Sequence, residues 1–139
     1  MTSRADKLGR LVSLVKLQLR LSEWQLAQLR QRERSLEDEQ EWLVGALNHG
    51  TPPAGSSSES IARRLNTTSV GARAVQAEAA QQLDQVRRES RRVKQLEEVA
   101  KAALADKLRD AEKRSLEEMT GTNPAVHAWT PPPAKRNKT

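Results

Sequence analysis

Few side chains in this sequence are of a type that does chemistry, and their spacing decides what they can do. Two histidines, His49 and His127, occur among 139 residues, and there is no cysteine. A transition-metal site needs several His, Cys or acidic side chains converging at ligand spacing. Neither histidine has such neighbours: His49 stands beside Gly50 in a turn-forming stretch and His127 in a Pro-rich one, so both read as solvated. The acids Glu37, Asp38, Glu39 and Glu41 form a carboxylate run, but on a helix four such positions fan out around the surface and cannot close on one cation. The six glycines are scattered, and none belongs to a phosphate-cradling loop or a dinucleotide fingerprint. No nucleophile has a base at workable spacing. The residues specify no catalytic group, no metal and no cofactor.

Charge is the stronger signal. The chain carries a net +6 with 30% charged residues, which favours an anionic partner surface. Arg87, Arg88, Arg91, Arg92 and Lys94 form a basic block. It reads either as a solvated helix face or as a site for nucleic acid or another acidic surface. No Tyr or Phe interleaves with these arginines, as stacking on single strands would require. A basic-region zipper is excluded too, because the N-terminal cations lie inside the apolar repeat itself.

That repeat, over residues 8–47, is the element everything else must follow. Alternating steps of four and three land on Leu8, Val12, Val15, Leu19, Ser22, Leu26, Leu29, Glu33, Leu36, Gln40, Leu43 and Leu47. Nine of the twelve are large aliphatics, and an average step of 3.5 residues keeps one narrow seam facing a partner helix. Ser22, Glu33 and Gln40 weaken that seam while helping to fix its register. Ser3 and Asp6 have the spacing of a capping box, with Thr2 as an alternative cap. Nothing stops the helix before Asn48, His49 and Gly50, followed by Pro52 and Pro53. It spans about residues 3–48, roughly 70 Å.

The connector, about 49–58, is short and polar, as between antiparallel neighbours. Ser56 and Glu59 offer a second capping box, so the second helix is expected over about 59–120. Asn66, Thr67, Thr68, Ser69 and Gly71 are poor helix formers and predict a weak point near 66–71. Beyond it Val75, Ala79, Leu83, Val86, Val93, Leu96, Ala100, Leu104, Leu108, Ala111 and Met119 make a drifting stripe. Acid-then-base pairs at i, i+4 (Asp84 to Arg88, Glu97 to Lys101, Asp110 to Arg114) add a little support. Thr120, Gly121 and Pro124 end the helix, and residues 122–139, Pro-rich and basic, read as a disordered tail.

The predicted fold is therefore all-α. Residues 1–121 form a long two-helix antiparallel coiled-coil hairpin, with the tail beyond it. If the second helix starts near residue 59 it outruns the first and sets the basic block beside Lys16 and Arg20. If it starts near residue 70 the two are flush. Tryptophan is the one aromatic type present, and a core without Phe or Tyr is a seam rather than a globular interior. Absence of cysteine suits a reducing compartment. No run approaches the ~18 apolar residues of a membrane span. Residues 1–21 share the basic bias of transit peptides, but the apolar period runs on unbroken past them.

Trp24 and Trp42 sit beside seam positions, where they wrap the partner helix or anchor an interface. At the hairpin tip Trp42, Leu43, Leu47, Ile61 and Leu65 are expected to cluster. Trp129 precedes Pro131, Pro132 and Pro133, the pattern of a short linear motif or of a solvated tail.

A basic, cysteine-free hairpin of this length, opening KLGRLVSLVKLQLRLSEWQLAQLRQRERSLEDEQEWLVGAL and followed by a mid-chain turn and a longer second helix, resembles the FliJ/YscO family of type III export apparatus proteins. The resemblance covers most of residues 5–119. It implies a bacterial cytoplasmic stalk, peripheral to the export machinery and without a small-molecule substrate. One end would sit in the pore of a hexameric export ATPase and the other would meet the export gate, with export chaperones as further partners. On that resemblance Lys7, Arg10, Lys16, Arg20 and Arg109 would face the ATPase, and Trp42, Leu43, Leu47, Ile61 and Leu65 the gate. Two other readings stand beside it. One is a nucleic-acid or acidic-surface binder acting through the 87–94 block. The other is a parallel coiled-coil scaffold, against which the proline-containing connector argues.

Overall fold

The computed structural model describes residues 3–50, residue 55 and residues 57–122. They form two helices, α1 (Arg4–Asn48, 45 residues) and α2 (Ser58–Thr122, 65 residues), packed along each other, with no strand among the described residues. The expectations for the tail, with His127 and Trp129, for Thr2 and Ser56, and for most of the connector lie outside those residues.

α1 begins as its sequence dictates. Ser3 is the N-cap: its hydroxyl accepts from the Asp6 backbone N–H, and the Asp6 carboxylate accepts from the Ser3 N–H in return. At the other end the His49 N–H donates to the Gly45 carbonyl, and Gly50 follows with φ +63°, the left-handed conformation in which a helix exit favours glycine. The cap of α2 falls on Ser57, whose hydroxyl accepts from the Ser60 N–H and whose carbonyl accepts from the Ile61 N–H. Glu59 lies in the first turn and pairs with Arg63.

The helices run antiparallel. Glu39 pairs with Arg64 near the connector, Lys16 with Glu97 further down, and Asp6 with Lys107 at the open end. Between the last two pairs α1 steps back ten residues as α2 advances ten, which fixes the register without a slip. All twelve seam positions of α1 are buried or half-buried. On α2 the inward positions are Ile61, Leu65, Thr68, Ala72, Val75, Ala79, Gln82, Val86, Glu89, Val93, Leu96, Ala100 and Ala103, an unbroken alternation of fours and threes. Thr68 belongs to this seam and is only 5% exposed, so the stretch 66–71 continues the helix. Its β-branched chain packs inward, and tertiary contact outweighs its weak helix propensity.

Four further expectations change. Leu104, Leu108, Ala111 and Met119 continue the apolar stripe in sequence but are exposed: Leu104 and Leu108 lie level with Gly9 and Ala5 but off the line that faces α1, and Ala111 and Met119 lie past its start. The register places Asp6 level with Lys107, so α2 extends beyond α1 for its last three turns, roughly 18 Å. Glu97 is not paired along its own helix with Lys101 but across the seam with Lys16, and Arg88 bonds Gln85 rather than Asp84. Arg114 reaches the backbone carbonyl of Asp110, not its carboxylate.

Polar seam residues bond across the hairpin. Gln40 donates to the Ser69 hydroxyl at 2.7 Å, and Gln82 donates to the Ser22 carbonyl at 3.0 Å and to Gln25 Oε1 at 3.3 Å. Each bond exists in one register only, so these residues specify alignment at some cost in apolar contact.

Candidate functional site

Two helices packed along each other offer surfaces rather than a cavity, and three surfaces hold the residues of interest. At the tip the expected cluster divides. Leu43 is 1% and Ile61 3% exposed, while Leu47 and Leu65 are half-buried, because all four are seam positions closing the hairpin on itself. The reading of these five as one outward patch is corrected accordingly: Trp42 alone of them faces solvent, at 55% exposure.

The open end carries the cations assigned by resemblance to an ATPase. Lys7, Arg10 and Arg20 are exposed and take part in no ion pair among the described residues. Lys16 is held by Glu97 at 3.1 Å and Arg109 by Asp106 at 3.2 Å. An open groove here, where α1 begins, is lined by Ala5, Val99, Ala103 and Lys107. Asp6 is the electrostatic hinge of this end. Hydrogen bonds from the Ser3 side chain and from Lys107 hold its carboxyl below the ordinary aspartate value of 3.8. A lowered folded value means that the stabilisation is complete above the unfolded value and is lost as pH falls through the folded one. We therefore expect residues 4–8 to fray on acidification below about 3.8, in step with Asp6 protonation. Carboxyl-carbon NMR titration checks this. Lys107→Ala should move the Asp6 midpoint upward, and a wild-type midpoint at the ordinary value would mean the contacts do not form in solution.

The third surface is the basic block. Arg87, Arg88, Arg91, Arg92 and Lys94 are all exposed, flanking the seam residues Glu89 and Val93 on the outer side of α2. None is in an ion pair among the described residues. The register of the Lys16–Glu97 pair puts Arg20 level with Val93, beside the block as expected for the longer second helix, while Lys16 itself meets an acid.

Among the described residues no group of three or more His, Cys, Asp or Glu side chains is placed to hold a metal ion. Glu39 of the acidic run accepts from Arg64 at 2.7 Å, and His49 is exposed at the end of α1. No helix among the described residues is long and apolar enough to cross a membrane. Sequence reading missed the seam residues Thr68, Gln82 and Glu89. Their positions in the alternation of fours and threes were the available signal, masked by their polarity.

Fold and surfaces together define an antiparallel two-helix coiled coil, closed at one end and unequal at the other. No family model, curated protein or solved structure matches the chain.

Proposed function

We propose that this chain is a non-enzymatic stalk of a type III protein export apparatus, joining a hexameric export ATPase to the export gate. The observation that carries the reading is the unequal hairpin. α2 continues past the start of α1 as a single helix with Leu116 and Met119 exposed, while the opposite end is closed and presents Trp42. A rod with two chemically different ends suits a coupling element between two partners. The bare helix and the free cations Lys7, Arg10 and Arg20 suit the ATPase pore, and Trp42 suits the gate.

The test is binding of the full chain to the purified export ATPase and to the cytoplasmic domain of the export gate from the same cell. Trp42→Ala should weaken gate binding by roughly tenfold or more and leave ATPase binding intact, as expected when an exposed aromatic anchor is lost. Arg10→Ala combined with Leu116→Gln should do the reverse. Wild-type chain that binds neither partner, or variants that change neither affinity, would remove the reading.

The exposed block at 87–94 favours a second reading, a nucleic-acid or acidic-surface binder. Salt separates the two: phosphate-driven binding weakens steeply between low and moderate ionic strength, whereas a contact anchored by Trp42 changes little.

A further inference from the structure

α1 carries a second apolar line that the hairpin does not use. Leu14, Leu17, Leu21 and Trp24 follow one another at steps of three, four and three, the same spacing as the seam. All four lie between 55% and 60% exposed. At 3.6 residues per turn their mean direction is roughly 160° from that of Val12, Val15, Leu19, Ser22 and Leu26, so they point away from α2. Isolated exposed apolar residues are ordinary on a protein surface, but four on one line at heptad spacing are half of a coiled-coil interface.

The surroundings say what would cover it. Arg10 begins the line one step before Leu14, with Lys7 and Arg20 on its flanks, all exposed and outside any ion pair among the described residues. The nearby acids do not offset them. Asp6 is engaged by Ser3 and Lys107, and Glu23 turns toward the groove beside Leu26 and Arg30. Two copies pairing in parallel through this line would set cations against cations, which disfavours that homodimer. Ser13, Gln18 and Gln25 keep the line narrow, whereas a helix lying in a bilayer interface needs a broad apolar face. Gln28 ends it.

We propose that Leu14, Leu17, Leu21 and Trp24, flanked by Lys7, Arg10 and Arg20, dock an acidic amphipathic helix of another protein as a third strand on the first half of α1. Leucines of that helix fill the line, and its Glu or Asp side chains meet the flanking cations. The inference does not depend on the export reading: a chain that bound neither ATPase nor gate would still carry this line.

The probe is a designed helical peptide of about four heptads with Leu at the core positions and Glu at the flanks, titrated calorimetrically into the full chain. A counterpart with Lys at the flanks is the charge control. Leu17→Gln with Leu21→Gln tests the site. Both side chains face solvent, so helicity should be unchanged by circular dichroism. The Glu peptide should bind, and either the Lys peptide or the double variant should lower affinity by roughly tenfold or more. Equal binding by the double variant, or no binding of the Glu peptide by the wild type, would overturn the proposal. So would preference for phosphatidylglycerol vesicles over the peptide, or a dimer in sedimentation that the double variant abolishes.

Discussion

Leu43→Ala is expected to cost the hairpin about 2–4 kcal/mol, the range for truncating a leucine in a packed interior. Leu43 is 1% exposed and is the largest fully buried side chain of the described residues. It sits in the same end of the seam as Ile61 and Leu65. A two-helix seam has no deep interior to relax into the space left behind, so transfer and cavity terms both act. Small domains retain only about 5–15 kcal/mol in all, which makes this loss a large fraction of the whole. Urea unfolding followed by circular dichroism measures it. Leu17→Ala is the internal control: at 58% exposure it should cost about 0.5 kcal/mol or less. Equal losses at the two positions would mean that α1 presents a different face to α2.

The second large effect runs the other way. Glu89→Leu is expected to stabilise the hairpin by about 1–3 kcal/mol. Glu89 occupies a seam position between Val86 and Val93. One of its oxygens accepts from Gln85 at 2.8 Å, but Oε2 is buried with no hydrogen-bond partner. An orphaned acceptor forfeits its hydration without return, and leucine there would add apolar contact to the seam. Gln85 keeps Arg88 as a partner after the change. Glu89→Gln should give a smaller gain, because a polar group still enters the seam. A lower denaturation midpoint for Glu89→Leu would show that Oε2 is solvated and that the carboxylate contributes favourably.

These two residues also mark what the sequence makes readable. In α1 leucine and valine occupy nine of twelve seam positions, so hydropathy and heptad spacing agree and the inward face emerges residue by residue. In α2 the same spacing is kept with Thr68, Gln82 and Glu89 in the line, and hydropathy alone drifts toward Leu83 and Leu104. Polar residues acquire seam roles through bonds to the other helix, such as Gln82 to the Ser22 carbonyl, and that partner is set by register rather than by local sequence. Exposure of Met119 follows from where α1 begins, a length difference that no local pattern encodes, whereas Leu104 and Leu108 lie beside α1 but off the seam line. At the tip the opposite error arose. Leu43 and Ile61 read as available for a partner, but the hairpin itself consumes them, leaving Trp42 outside. The line through Leu14, Leu17, Leu21 and Trp24 needed the structure for another reason: two heptad stripes share one helix, and only packing decides which of them the chain covers.

The antiparallel register has a kinetic consequence as well. Arg64 and Glu39 are 25 residues apart in the chain, whereas Lys107 and Asp6 are separated by 101. Closing the longer loop from the unfolded chain costs about 1.2 kcal/mol more, since the penalty grows as the logarithm of loop length. Once the near pair has met, each further contact closes only a small additional loop, so the chain should zip from the connector toward its termini. Substitutions such as Leu43→Ala then fall in the nucleus and slow folding, whereas removing Lys107 chiefly speeds unfolding.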